Sequence, residues 1–503
     1  MHSAFSDFAE AAAKLVLVRS DEAEEVAGRL PDAIGQVIRA QGFSGKRAEM
    51  LKIPGEDGAL AYVIAGLGRG QTPLDVAAIS AALEPGQYEL ESKPDDWSDA
   101  WVSAGWADGA YRFDRYLAKK HTAPQLVLPS GSDALEAIGR EAAAVDLVRD
   151  LVNTPAADMG PDAIEAVIRD MAKTYGAKVD VTTGDDLLEA NYPMVHAVGR
   201  AATIAPRFVE LSWGKKSAPK VALVGKGVSF DSGGLNIKKG GGMRIMKKDM
   251  GGAAHAIGLA QLIMDADLPV NLKLYVPTVE NAIAGNAFRP GDVLMSRKGL
   301  SVEIDNTDAE GRLILGDALT RASEDDPDLL IDFATLTGAA RVAVGPDLAP
   351  FYTDDEALAA EIAEGAQLSG DAAWRMPLWR PYLSYLSSPI ADIANSGSSM
   401  GGSITAALFL QKFVDADIGF ISMCGHGGKR NMAGLRGRLP AGCGRCGRPY
   451  KNVMLRAEFW LADHCKSPDS ILLERGLTHG NERAASTGYV ASDRLCPGEG
   501  RYA

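Results

Sequence analysis

Lys220-Val221-Ala222-Leu223-Val224-Gly225-Lys226-Gly227-Val228-Ser229-Phe230-Asp231-Ser232-Gly233-Gly234-Leu235-Asn236-Ile237-Lys238 joins a continuous apolar run to a glycine-rich, charged turn. An apolar run without polar alternation marks a strand buried on both faces. The glycines allow tight turns and close backbone approach. The same pattern recurs outward along the chain. Strands are predicted at 208–213, 220–224, 271–277, 301–304 and 329–333, and helices at 251–265, 311–323, 355–368 and 403–414. This alternation predicts an α/β fold whose mostly parallel central sheet is flanked by helices. In such sheets ligands collect beyond the carboxyl ends of the strands, where the charged turn falls.

Upstream, residues 1–130 read as a smaller α/β domain with strands at 59–68 and 125–129. It carries no chemical motif and is expected to serve packing or assembly. Residues 131–155 form a connecting helix, with Leu135, Ile138, Ala142, Val145, Val148 and Leu151 at helical spacing. Asn153-Thr154-Pro155 stops it, because the residue before proline avoids the helical region. A second helix is predicted at 162–175. The main domain is expected over 156–418 and an atypical tail over 419–503.

Composition is that of a soluble chain: 46% apolar and 23% charged, without the ~18 consecutive apolar residues of a membrane helix. The N-terminus has an early acid and no basic segment, so no signal peptide is expected. These features predict a cytoplasmic protein with no membrane partner. A net charge of −14 disfavours nucleic acid, which demands clustered cations. All five cysteines follow residue 420, so the preceding residues can use neither a disulfide nor a thiol nucleophile.

Three clusters carry candidate chemistry. In the opening stretch, the phosphate-loop spacing and the Gly-x-Ser-x-Gly nucleophile pattern are both absent, and its lysines and aspartate could be solvated loop charges. In Met246-Lys247-Lys248-Asp249-Met250-Gly251-Gly252, Asp249 could be a helix cap. In Asn306-Thr307-Asp308-Ala309-Glu310-Gly311-Arg312-Leu313, two acids beside a helix start are favoured by the helix dipole alone. Together, Asp231, Asp249, Asp308 and Glu310 make an acidic pocket. Crowded carboxylates raise one another's pKa, and two divalent metals about 3.5–4 Å apart would resolve that repulsion.

The order and spacing of these motifs resemble the leucyl (cytosol) aminopeptidases. The run from Asn306 to Leu313 matches the family signature without a change. Gly225-Lys226-Gly227, Phe230-Asp231-Ser232-Gly233-Gly234, Lys238, Glu280-Asn281, Gly285 to Asp292 and Ala334-Thr335-Leu336-Thr337-Gly338-Ala339 match as well. The resemblance covers about residues 151 to 414. It implies removal of N-terminal residues, Leu and other mainly apolar ones, from peptides by a metal-bridged hydroxide. It implies Asp231 and Glu310 as ligands to both metals, Lys226 and Asp249 as ligands to one, and Asp308 as ligand to the other. A lysine ligand must be neutral, which a dication and burial favour. The metals would be zinc, manganese or magnesium. The resemblance further implies Lys238 as donor to the developing oxyanion, Arg312 as holder of a bicarbonate, and Met246, Asn306, Thr335, Leu336 and Gly338 as substrate-binding residues. It also implies a homo-hexamer. His196 and His255 lack partners at ligand spacing and are expected to be structural.

The chain changes character near residue 418. Residues 421–503 carry 13 Lys and Arg against 7 Asp and Glu, inside an otherwise acidic protein. Family members close the sheet with a strand reading like Trp-Val-His-Leu-Asp and a following helix. Joining the third base of each codon from Ile418 onward to the next two permits that reading, so a frameshift is expected, with loss of the closing strand and a disordered tail. Cys443 and Cys446 make only half of a zinc knuckle. Two alternatives stand beside the enzyme: a homologue impaired by its tail, and an accessory DNA-binding role.

Overall fold

The computed structural model describes residues 2–9, 11–128, 133–369, 371–415 and 419–423. A nine-stranded sheet dominates it. Its order is Ala373–Arg375, Ala349–Tyr352, Gly419–Met423, Leu329–Phe333, Lys220–Gly225, Asn271–Asn281, Arg207–Gly214 and Lys178–Thr183, with Gly227–Asp231 pairing the far half of Asn271–Asn281. The four central strands, Gly419–Met423 to Asn271–Asn281, are parallel, and Arg207–Gly214 and Lys178–Thr183 complete the sheet antiparallel. Val221 and Leu223 enter one hydrophobic core, and Ala222 and Val224 enter the other, across the sheet. This two-sided burial is why the strand reads as an unbroken apolar run. Each buried Val or Leu of this strand contributes about 1.5–3 kcal/mol.

The helix Gly251–Asp265 covers one face beneath Asp133–Asn153. Thirteen of its fifteen residues are buried, and its sequence is accordingly apolar all round. Gly311–Glu324 covers the other face, packed by Pro193–Gly199 and Gly402–Gln411. The N-terminal unit repeats the principle on a smaller scale. Its six-stranded sheet is parallel except for Met50–Pro54 against Leu60–Gly68, with Leu15 and Leu17 in one core and Val16 and Val18 in another. Among the described residues no helix is long and apolar enough to cross a membrane.

Two expectations are corrected. The 301–304 strand does not join the main sheet. Ser301–Glu303 lies between Val293–Met295 and Ile393–Ala394 in a separate three-stranded sheet. Only Val302 of its three residues is buried, too little apolar surface for a two-sided position. The sheet also continues past residue 418. Gly419–Met423 pairs parallel with Leu329–Phe333 and antiparallel with Ala349–Tyr352, so a closing strand is present. Gly-Phe-Ile-Ser-Met still offers strand-forming residues to a slot with backbone partners on both sides. The disorder expected of the tail, and its cysteines, lie outside the described residues.

Candidate active site

The strand Gly227–Asp231 delivers Asp231 at its carboxyl end, 3% exposed. Its Oδ1 accepts from the Gly233 N–H (2.8 Å) and from Asn281 Nδ2 (2.9 Å). Its Oδ2 faces Lys238 Nζ at 2.6 Å, and Lys238 also pairs with Asp308. Gly233 makes this turn possible: its φ is +89°, and a Cβ there would sit 2.5 Å from the Asn236 carbonyl oxygen.

Lys226, 2% exposed, leaves the end of Lys220–Gly225 and reaches Asp249 Oδ2 (2.7 Å), Glu310 Oε1 (3.1 Å) and the Thr335 carbonyl (3.2 Å). Gly311 makes room for it, since a Cβ there would meet Lys226 Cε at 2.4 Å. The glycine after Glu310 is thus a packing requirement of the lysine.

Neither acid beside a helix start caps it. Asp249 lies in the 3₁₀ helix Gly240–Met250; the cap position of Gly251–Asp265 is Met250, without a side-chain bond. Glu310 occupies the cap position of Gly311–Glu324 and makes no capping bond. Both carboxylates turn instead toward Lys226. Thr335 Oγ1 donates to the Asp249 carbonyl (2.7 Å) and to its Oδ1 (3.1 Å), so Thr335 braces Asp249.

The electrostatics are those of an overcrowded site. Burial, then the charge of Asp231, pushes Glu310 up to about 8 against the pull of Lys226. The same two causes raise Asp308 to about 6 despite Lys238. Burial opposes charge on Lys226 and Lys238, but the surrounding carboxylates outweigh it and hold both amines above the usual lysine range. Burial would also raise Asp249, yet Lys226 and Lys248 hold it below its ordinary value.

The donor set fits a metal. One oxygen each from Asp231, Asp308 and Glu310 lies within 4.8 Å of the others, and Glu310 Oε2 is buried without a hydrogen-bond partner. Asp249 joins them through Lys226.

The remaining predicted residues are spread around this centre. Asn306 Oδ1 accepts from the Asp308 N–H (2.9 Å), fixing the turn. Arg312 is buried in the first turn of Gly311–Glu324, its guanidinium 5.8 Å from the Phe409 ring. Met246 is buried in the 3₁₀ helix, Leu336 is half-buried, and Gly338 opens the helix Gly338–Val344 with free space around it. Lys247 Nζ donates to the Asn153 carbonyl, tying this 3₁₀ helix to Asp133–Asn153. His196 pairs with Asp185 (3.0 Å), and His255 meets the Gly251 carbonyl (2.5 Å).

Three supporting residues were not assigned a role from sequence. Asn281 bridges Asp231 and the Thr307 carbonyl (3.1 Å). Thr307 Oγ1 donates to the Gly233 carbonyl (2.6 Å). Asn395 Oδ1 accepts from the Asp305 and Asn306 N–H groups (2.9 and 3.1 Å), while its Nδ2 donates to the Asn306 carbonyl (2.7 Å). Asn281 and Thr307 sit inside quoted motifs, which was the available signal. Asn395, about ninety residues from its partners, gave none.

Known proteins share this sequence pattern and fold. Residues 146–437 match the model of the cytosol aminopeptidase family's catalytic domain, and residues 15–129 that of the M17 aminopeptidase N-terminal domain. A probable cytosol aminopeptidase of Streptomyces avermitilis is 36% identical over 459 residues, 85% of this chain and 90% of that protein. The crystal structure of a cytosol aminopeptidase from Coxiella burnetii superposes with a TM-score of 0.81 at 39% identity, covering 91% of this chain and 98% of that one. The bottromycin maturation enzyme BotP, in a complex with Mn, gives 0.79 at 31% identity, over 90% and 100%. The chain belongs to the cytosol aminopeptidase family and is a metal-dependent exopeptidase acting at peptide N-termini.

Proposed function

We propose that this enzyme removes Leu and other mainly apolar residues from the N-termini of peptides, with two divalent ions held by Lys226, Asp231, Asp249, Asp308 and Glu310. The observation that carries this reading is the convergence of Asp231, Asp308 and Glu310 oxygens within 4.8 Å, from two segments far apart in sequence. When bound, the ions supply Lewis acidity and an activated water near neutral pH. Manganese or zinc suits the mixed amine and carboxylate donors, with magnesium third.

The chain's own residues divide the remaining work. Lys226 must shed its proton to become a ligand, so metal uptake should release protons. Lys238, fixed between Asp231 and Asp308, is positioned to donate to the oxyanion that develops on the scissile carbonyl. Arg312, a buried guanidinium at a helix start, offers a fixed cation for bicarbonate. Asn306, Thr335, Leu336 and Gly338 would border the substrate, and Met246 would line the pocket for the first side chain. An apolar pocket separates similar aliphatic residues only weakly, so a broad apolar preference is expected.

A homo-hexamer and a cytoplasmic location belong to the same reading. Exposed apolar residues such as Val342 (85%), Met400 (72%) and Ile390 (62%) offer surface for contacts between copies. The domain division into 1–130, a connector over 131–155, a catalytic part over 156–418 and a separate tail is proposed with it. So is the frameshift near 418, which sequencing the gene through that stretch decides.

The test is turnover of a leucine anilide with added manganese, alongside metal content by mass spectrometry. Activity with about two metals per chain is expected. An Asp308→Ala chain that turns over like wild type would sink the assignment.

A further inference from the structure

A cleft of about 760 Å³ lies between the N-terminal unit and the helix Asp133–Asn153, and shares no residue with the metal centre. Its helix wall is acidic, and the loop wall carries two guanidinium groups. On the helix, Asp146 and Asp150 stand one turn apart. Asp146 Oδ2 meets His2 Nε2 at 3.0 Å, and Asp150 Oδ1 accepts from the Tyr111 hydroxyl at 2.7 Å. A carboxylate has about four acceptor sites, so both keep capacity for a further donor. The facing loop carries Arg112, Asp114 and Arg115, and the Asp114 carboxylate is already engaged by the His121 N–H (2.7 Å) and Lys120 Nζ (3.5 Å). Arg112 donates to the carbonyls of Gly109 (2.6 Å), Tyr111 (2.8 Å) and Ala81 (2.8 Å), and thereby fixes the loop. Arg115 is exposed and lines the cleft, its guanidinium 6.0 Å from the Tyr116 ring.

We propose that this cleft binds a free α-amino acid, its ammonium on Asp146 and Asp150 and its carboxylate on Arg115. Acids on one wall and a guanidinium on the other match a small zwitterion, and the volume is in the range of ordinary ligand sites. The choice of an amino acid among zwitterions rests on the exopeptidase reading, since each turnover releases one.

The test is calorimetric titration of L-leucine into the full-length manganese-loaded enzyme. Two equivalents per chain are expected, one at the active site as product and one in the cleft. Asp150→Asn and Arg115→Gln should each remove one equivalent while leucine anilide turnover stays within about twofold, as for substitutions outside the catalytic machinery. 3-Methylbutylamine, lacking the carboxylate, and 4-methylpentanoate, lacking the amine, should each fail to displace the cleft equivalent. A single equivalent in the wild type, or two that survive both substitutions, overturns the proposal. Asp308→Ala separates the two readings: loss of turnover with one leucine retained supports both. Unimpaired turnover would remove the metal assignment and leave the cleft result standing on Asp150→Asn and Arg115→Gln.

Discussion

The two halves of the molecule bury charge in opposite ways. In the N-terminal half, buried Asp108, Arg149 and Asp75 each have a partner of opposite charge. Arg149 and Asp108, both 4% exposed by side chain, pair between the helices Asp133–Asn153 and Asp99–Ala110. Asp75 accepts from the Gln71 and Thr72 N–H groups (3.1 and 3.3 Å) and meets Arg47 Nε at 2.9 Å. In the catalytic half four carboxylates crowd around Lys226 and Lys238, and Lys248 approaches no closer than 3.8 Å to Asp249 Oδ1. Closed pairs hold a fold together. Oversubscribed acids need something from outside, which is why strongly displaced titratable groups gather at functional sites.

The sharpest way to break that contrast is to remove one acid from each half. Glu310→Ala should lose metal and, with it, several kcal/mol of transition-state stabilisation, on the order of 10³-fold in turnover. Measured without metal, Glu310→Gln should melt no lower than the metal-free wild type, because burial already disfavours the charge it removes. A metal-free variant that melts several degrees lower would mean that Glu310 is a structural anion. Arg149→Met should do the reverse. It strands Asp108 in the interior and should cost about 3–5 kcal/mol of stability, read by denaturant unfolding, while kcat/KM per folded chain stays at the wild-type value.

Lys238 tests the contrast within the active half. It is tied to two of the acids but is assigned to the reaction, not to metal binding. Lys238→Ala should lower kcat about 10²–10³-fold, as for other oxyanion donors, with metal content unchanged. Concurrent metal loss would move Lys238 among the groups that hold the ions.

The legible parts of the sequence were those where local pattern and tertiary role coincide. Leu329–Phe333 and Gly251–Asp265 fall at their predicted boundaries because burial on all sides keeps both segments mostly apolar. The five proposed metal residues were legible through the family resemblance of their motifs, not through spacing alone. What they avoid was not: Asp249 and Glu310 look like caps on any local criterion, and only the lysine arriving from Lys220–Gly225 distinguishes them. Ser301–Glu303 misled because three residues cannot reveal which sheet they join. Asn395 was invisible because an asparagine that braces a distant turn has no periodicity. The break in composition near 418 is real in the sequence, yet Gly419–Met423 still pairs with its neighbours, since strand pairing uses the backbone more than side-chain identity.

Asp332 qualifies the comparison, being a fully buried carboxyl in the catalytic sheet that belongs to no metal site. It lies on Leu329–Phe333 opposite Ser422 of the closing strand. Burial pushes it up to about 8, and a bond to Ser422 only partly opposes this. It is therefore an acid kept neutral near pH 7, a third way of burying a carboxyl besides pairing and metal binding. The sign of its effect follows. An unfolded aspartate titrates near ~3.9, so between about pH 4 and pH 8 the folded chain holds a proton that the unfolded chain has lost. Stability is then greatest at the acid end of that window and falls as pH rises, by at most about 1.4 kcal/mol per unit. Asp332→Asn removes the titration, so unfolding curves of the variant and the wild type should diverge steadily from pH 5 to pH 8, in the variant's favour at high pH. Parallel curves would mean that Asp332 ionises freely in the fold, and that a cation or water reaches this part of the sheet after all.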